Sequence, residues 1–153
     1  MWKPYVFFIA LSEAVGALAG FLTRNGMTAY ELLEKPPLTP PDIVFPIVWG
    51  ILYALMGIGA ARIYLAPPSD DRTYSLKLFY LQLAANFLWS LIFFNLQAFG
   101  FSFFWLLFLW LLIFLMIRSF AKVDKIASML QIPYLIWVTF AGYLNLMVWI
   151  LNR

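Results

Sequence analysis

The chain of 153 residues contains neither cysteine nor histidine. Without cysteine it has no disulfide framework, no thiolate metal site and no cysteine nucleophile. Without histidine it lacks the commonest general base and the commonest metal ligand. Its seven acidic residues form no cluster with ligand-like spacing, so we expect no metal site, no protein cofactor and no conventional catalytic constellation.

Charge is also scarce. Asp, Glu, Lys and Arg make up 11% of the chain and hydrophobic residues 65%, where soluble domains have about 25% and about 45–50%. The ten basic residues form no run, which excludes a nucleic-acid partner of the basic-patch kind. This composition indicates an integral membrane protein whose main partner is the lipid bilayer.

Five stretches are long and apolar enough for membrane-spanning helices, which need about 20 residues. They are residues 5–22, 43–65, 78–98, 101–117 and 126–151. Residues 66–77 and 118–125 are predicted as polar links, the first of them containing a plain helix stop at Pro67-Pro68. The predicted fold is therefore all-α, a five-helix transmembrane bundle that forms a single domain over residues 1–153.

The basic residues are distributed unevenly between the two ends of this bundle. Seven of the ten lie on the side of the N-terminus: Lys3, Arg62, Arg72, Lys77, Arg118, Lys122 and Lys125. By the positive-inside rule, we expect a multi-pass protein of a bacterial cell membrane with its N-terminus in the cytoplasm.

Residues 24–41 form a long loop on the opposite side. It contains four prolines, and its Tyr30–Glu34 segment is compatible with a single helical turn before extended backbone. Such a stiff segment has two interpretations, a rigid linker between helices or a lid over the mouth of a cavity.

Aromatic residues, 20% of the chain, recur at helical spacing in three of the predicted spans. These stripes are Trp49, Tyr53 and Met56; Asn86, Trp89 and Phe93; and Tyr134, Trp137, Ala141 and Leu144. They are compatible either with helix–helix packing or with a pocket for a flat hydrophobic ligand. The small Ala141 and the intramembrane amide of Asn86 favour the pocket.

Two further features of the spans leave alternatives open. Glu13 is an intramembrane carboxylate, which is a functional candidate for proton coupling; we favour a protonated group or one bonded to Asn86 or Asn145. Small residues at four-residue spacing, such as Gly16 with Gly20 and Gly57 with Ala61, suit close packing within the chain or in a dimer.

Four ordered motifs resemble those of the translocator proteins, also called tryptophan-rich sensory proteins or peripheral benzodiazepine receptors. The loop carries Tyr30-x-x-Leu33-x-Lys35-Pro36-x-x-x-Pro40-Pro41, and the second span Pro46-Ile47-Val48-Trp49-Gly50-Ile51-Leu52-Tyr53-Ala54-Leu55-Met56-Gly57. The third span has Gln82-Leu83-x-x-Asn86-x-x-Trp89 with Phe93-Phe94. The fifth has Pro133-Tyr134-Leu135-x-Trp137-x-x-Phe140-Ala141-x-x-Leu144-Asn145-x-x-Val148-Trp149.

The resemblance implies a bundle, usually a homodimer, with a ligand pocket beneath the first loop. Family members bind porphyrins such as protoporphyrin IX, sterols in some cases, and benzodiazepine- or isoquinoline-type drugs. The resemblance therefore implies a porphyrin receptor or sensor; the alternatives are light- and oxygen-dependent porphyrin degradation and transport of tetrapyrroles. Matching positions predict the ligand-binding residues Tyr30, Pro40, Trp49, Tyr53, Asn86, Trp89, Phe93, Trp137, Ala141 and Leu144, with Trp49 and Trp137 as the catalytic pair in any photochemistry.

The chain departs from the family pattern at three places. Leu38 stands where the loop usually has an aromatic residue, which implies a looser lid or a different ligand preference. Ser90-Leu91 replaces the twin prolines of the third helix, for which we expect a straighter helix. Residues 144–150 lack the tyrosine and following basic residue of the animal cholesterol motif, which lowers the expectation of sterol binding.

Overall fold

The computed structural model describes all 153 residues and contains helices and turns but no strand. Five helical stretches are long and apolar enough to cross a membrane, which confirms the predicted all-α membrane bundle. The helices are α1 (Lys3–Leu22), α2 (Arg24–Tyr30), α3 (Val44–Leu65), α4 (Asp70–Ser90) with a π-helical turn at Leu91–Asn95, α5 (Phe99–Val123), α6 (Lys125–Met129) and α7 (Ile132–Leu151).

Helix α1 packs against α3 and α4, α4 packs against α5, and α5 packs against α7. The short helix α6 contacts α3. The core lies between them and contains the fully buried side chains of Met56, Phe79, Ile113 and Tyr134. Large apolar side chains such as Phe104 remain exposed on the outer faces, as expected for surfaces that contact lipid.

The third span begins at Asp70 rather than at residue 78 as predicted. The Ser69 hydroxyl accepts the backbone N–H of Arg72 at 3.0 Å, and Asp70 and Asp71 complement the positive end of the helix dipole. Helix α4 therefore starts directly after the two prolines, and its first turns are polar. The predicted boundary at residue 78 marks where the apolar stretch begins, whereas the helix itself begins at Asp70.

The fourth span was also predicted too short, because α5 continues to Val123 and not merely to residue 117. Asp124 ends it in an extended conformation and caps α6: its Oδ1 atom accepts the N–H groups of Ile126 at 2.9 Å and Ala127 at 3.1 Å. The predicted link of residues 118–125 is thus a single extended residue between two helices.

The C-terminal part of the third span is not the straight helix expected from the loss of the twin prolines. Leu91–Asn95 forms a π-helical turn, in which the N–H of Leu96 bonds to the carbonyl of Leu91 at 3.0 Å. The carbonyl of Phe94 lies directly against Gly26 of α2, where a Cβ atom would collide with it. The first loop and this widened turn therefore fit together, and the turn needs no proline.

Gly16 and Gly57 allow α1 and α3 of the same chain to pack closely. A Cβ atom on Gly57 would collide with the backbone of Ile9, and one on Gly16 would collide with the ring of Tyr53. In contrast, Gly20 and Gly50 have no neighbouring atom within 4 Å of an added Cβ. Close approach of α1 and α3 thus requires glycine at positions 16 and 57.

One ion pair closes the end of the bundle opposite the first loop. Arg62 Nε, near the end of α3, donates to Asp124 Oδ2 at 3.1 Å. Burial alone would raise the pKa of Asp124, but the N–H of Ala127, the Arg62 guanidinium and the N–H of Ile126 together hold it below its ordinary value of 3.8. The carboxylate form is therefore favoured by folding.

Gly57→Ala should destabilise the protein by about 1–3 kcal/mol, because the added methyl group pushes α1 away from α3. Gly50→Ala on the same helix is the control, and its open surroundings should give no loss and a gain of up to about 1 kcal/mol from helix propensity. Thermal unfolding of both variants in detergent measures the difference. Equal effects of the two substitutions would contradict the packing described.

Stability should fall with acid pH partly through Asp124. Because its folded-state pKa is lowered, its contribution is fully present above the ordinary pKa of 3.8 and is lost as the pH falls through the lower folded value. Asp124→Asn keeps the helix cap and should remove this component. Melting temperatures measured from pH 7 to pH 3 should therefore decline less in the variant than in the parent, and parallel declines would refute the assignment.

Candidate ligand-binding site

A chain of buried hydrogen bonds crosses the centre of the bundle. The Tyr134 hydroxyl donates to Gln82 Oε1 at 2.7 Å and accepts from Asn86 Nδ2 at 2.8 Å. Gln82 Nε2 in turn donates to the carbonyl of Phe79 at 2.9 Å. Since hydrocarbon offers no water as a partner, these contacts are what allows the amides to lie inside the membrane.

A second buried amide joins three helices nearer the first loop. Trp89 Nε1 of α4 donates to Asn145 Oδ1 of α7 at 3.0 Å, and Asn145 Nδ2 donates to the Phe99 carbonyl of α5 at 2.9 Å. Both amides are thus partnered without Glu13. Of the two alternatives favoured for Glu13, the bond to Asn86 or Asn145 is not formed, and Glu13 lies half-buried on α1.

The structure brings most of the predicted aromatic residues together around these amides. The Trp49 ring lies 5.6 Å from that of Tyr53 and 6.2 Å from that of Tyr134, measured between ring centroids. Trp89 stacks on Phe93 at 5.2 Å, and Tyr30 reaches Phe93 at 5.7 Å. Leu144 is buried, while Ala141 and Pro40 are half-buried.

A lateral groove of about 580 Å³ lies between α3 and α7, within the usual range for small-molecule sites of about 300–1,000 Å³. Ile51 and Ile136 on its two walls are 57% and 64% exposed, so the groove opens towards lipid. Of the predicted ligand residues, only Trp137 lines it. The lining consists of Val48, Ile51, Leu52, Pro133, Ile136, Trp137 and Phe140.

The groove exists because α3 and α7 are joined by side chains rather than by close backbone packing. Towards the first loop, the rings of Phe45 and Trp137 lie 5.9 Å apart. Towards the other end, Gln131 Nε2 donates to the carbonyl of Leu55 at 3.0 Å. Gln131 lies at the break between α6 and α7, where a non-helical membrane segment must be shielded by protein.

The first loop is fastened to the last helix. The Asn152 side chain accepts the N–H of Glu34 at 3.0 Å and donates to the carbonyl of the same residue at 2.8 Å. The Tyr143 hydroxyl donates to the carbonyl of Pro37 at 2.9 Å. Between these contacts and α3, Leu38 is exposed and has a φ of 74°, a left-handed backbone conformation that is unusual for a branched residue.

The first part of the predicted loop is helical, because α2 covers Arg24–Tyr30, and the turn predicted from Tyr30 onward follows it directly: the N–H of Leu33 donates to the carbonyl of Tyr30 at 3.1 Å. Helix α2 ends at Tyr30, whose ring has Lys35 Nζ 5.1 Å from its centroid. Burial and the negative charge of Asp42 raise the pKa of Tyr30, so its hydroxyl remains neutral at physiological pH.

Sequence reasoning missed two groups of residues. The aliphatic groove walls, such as Ile51 and Ile136, have the same pattern as any lipid-facing residue, so no local signal distinguishes them. Gln82 could have been found, because it is an amide within an apolar stretch and, like Asn86, needs a hydrogen-bond partner inside the membrane.

Comparison with known proteins shows a match between residues 8–150 and the sequence model of the TspO/MBR family. Protein CrtK of Rhodobacter capsulatus is 38% identical over 96% of this chain and 91% of its own length. Tryptophan-rich protein TspO of Chlorobaculum tepidum is 38% identical over 94% and 92%, respectively. The translocator protein of Bos taurus is 34% identical over 97% and 89%.

Tyr134→Phe should destabilise the protein by about 1–3 kcal/mol, because it leaves the Asn86 amide and Gln82 Oε1 without their partner. Tyr74→Phe makes the same chemical change on α4 at an exposed side chain without a hydrogen bond and should cost less than about 0.5 kcal/mol. Thermal unfolding in detergent compares the two. An unchanged melting temperature for Tyr134→Phe would show that the central chain does not stabilise the bundle.

Proposed function

The chain belongs to the TspO/MBR family, and on this premise we propose that it is a membrane receptor or sensor for protoporphyrin IX and similar flat hydrophobic ligands. It is a multi-pass membrane protein, so such a ligand can reach it from the lipid phase. The homodimer that the family resemblance implies and the cytoplasmic N-terminus that the charge asymmetry implies are parts of the same proposal.

The observation that carries the proposal is the lateral groove beside the aromatic interior. Its walls are aliphatic except for Trp137 and Phe140, which suit the face of a large conjugated ring. Tyr53 directly follows Leu52 in α3, and Tyr134 directly follows Pro133 in α7. The central hydrogen-bond chain therefore lies behind these walls in the bundle interior, where its groups bond to one another, and the groove itself presents an almost wholly apolar surface to a ligand.

The first loop is in a position to act as the lid of this site. Tyr143, which holds Pro37, lies three residues beyond Phe140 on α7. Phe45, which contacts Trp137, lies in the first turn of α3 at the end of the loop. Both attachments of the loop thus adjoin the same end of the groove, which supports a site beneath it.

Light- and oxygen-dependent breakdown of the bound porphyrin is the second candidate function. Trp137 lines the groove, and Trp49 has two tyrosine rings within 6.2 Å. Indole rings next to an excited ligand can give up an electron to it without an acid–base pair or a metal. The porphyrin would then be substrate rather than cofactor.

Binding can be tested by titrating the purified protein with protoporphyrin IX in the dark and following the absorption of the porphyrin. Ile51→Trp fills the groove and should weaken binding at least about tenfold, a loss of about 1.4 kcal/mol. Ile47→Trp is the matched control: the two isoleucines are 57% and 56% exposed on α3, and only Ile51 lines the groove. Equal affinities of the two variants would reject the groove as the site.

Illumination of the same complexes separates the two candidate functions. A receptor retains its porphyrin unchanged, whereas the degrading activity yields a new absorbing product that disappears in the Trp49→Phe, Trp137→Phe double variant. A product formed equally well by the double variant would exclude these two tryptophans from the chemistry.

A further inference from the structure

A second cleft lies at the end of the bundle opposite the first loop, between the start of α1, the end of α3 and the junction of α5 with α6. It has a volume of about 350 Å³. Its lining combines polar and apolar groups, namely Tyr5, Arg62, Leu65, Ala66, Pro67, Val123 and Asp124. This cleft shares no residue with the groove between α3 and α7.

Only part of the hydrogen-bonding capacity of Arg62 is satisfied within the protein. Its Nε atom donates to Asp124 Oδ2 at 3.1 Å, and the Tyr5 hydroxyl, which lies beside the guanidinium, is its one other side-chain partner. Asp124, by contrast, accepts three hydrogen bonds, from Arg62, Ile126 and Ala127. The side chain of Arg62 is 32% exposed, so the outer part of its guanidinium is open to an anion with oxygen atoms. Phosphate suits the planar fork of an arginine side chain well.

The surroundings of the cleft are positively charged. Seven basic residues lie at this end against Asp70, Asp71 and Asp124, whereas the end with the first loop has three basic and three acidic residues. Lys122 lies in the last turn of α5, next to Val123 in the cleft wall. The excess charge attracts anions to this end of the molecule.

The position of the cleft favours a lipid over a soluble anion. Arg62 lies in the last turn of a membrane-spanning helix, which is the depth of lipid headgroups. Leu65 and Val123 supply apolar walls beside the guanidinium, which suit the glycerol and upper acyl carbons of a phospholipid. A free phosphate ion would gain nothing from these walls.

We propose that the cleft binds the phosphate group of an anionic phospholipid, with the two Nη groups of Arg62 as its donors and the Tyr5 hydroxyl beside them. Asp124 holds the guanidinium by Nε and lowers the net charge of the site. The lipid thus contacts the ends of three helices and connects α1 to the α3 terminus and the α5–α6 junction.

The test is a titration of the protein in a neutral maltoside detergent with phosphatidylglycerol, in which native mass spectrometry counts the bound lipids. We expect one saturable lipid that phosphatidylcholine does not replace. Arg62→Gln should weaken it about tenfold, the size expected for losing a charge-assisted hydrogen bond. Lys77→Gln removes the same charge from an exposed side chain at the same end and should change the affinity less than about twofold.

Asp124→Asn is the control for misfolding. It keeps the cap of α6 but removes a negative charge from the cleft, so it should strengthen lipid binding, whereas a misfolded protein would bind less lipid. Weaker binding in this variant, or an equal loss in Arg62→Gln and Lys77→Gln, would overturn the proposal. Inorganic phosphate is added as a competitor against chloride at the same ionic strength. Displacement of the lipid by phosphate would assign the cleft to a soluble anion instead.

Discussion

A polar side chain inside a membrane must find its partner within the protein, and this constraint determines the rotation of the helices in the bundle. The Gln82–Tyr134–Asn86 chain connects one face of α4 to one face of α7. The Trp89–Asn145 bond repeats the connection one turn further along α4 and about three turns further along α7. Because the amides are interleaved with aromatic residues, the same rotation turns those rings inward. Aliphatic side chains then form most of the groove walls, with Trp137 and Phe140 as the aromatic members.

Hydropathy predicted the number of spans correctly because a continuous apolar stretch of about 20 residues matches the thickness of the bilayer core and is rare in soluble domains. Hydropathy did not predict the helix ends, because polar capping residues rather than hydrophobicity determine where these helices begin and end. Ser69 starts α4 within a segment interpreted as a link, and Asp124 ends α5 six residues beyond the predicted end. Ser69 and Asp124 are both residue types that favour the N-cap position, so the sequence itself carries the signal for these two helix starts.

The sequence predicts a residue of the candidate site only where a distinctive side chain, such as an intramembrane amide or an aromatic ring, also recurs at helical spacing. Asn86 and its neighbouring aromatics follow a helical repeat, so their common burial could be foreseen. The groove depends instead on the distance between α3 and α7, which results from the close contact of Gly57 with Ile9 on one side of α3 and the Gln131–Leu55 bond on the other. Ile51 carries no sign of this in its local sequence. The attachment of Glu34 by Asn152 joins residues 118 apart and was equally beyond a local pattern.

That attachment has a consequence for biosynthesis. The loop leaves the ribosome soon after the first span, but its partner Asn152 follows Glu34 by 118 residues. At translation rates of about 5–20 residues per second, the loop waits on the order of ten seconds for its anchor. A nascent chain whose last helix has not yet emerged therefore exposes an unfastened loop however well its first four spans have inserted, and the loop can take its observed position only after α7 has been made and has packed against α5.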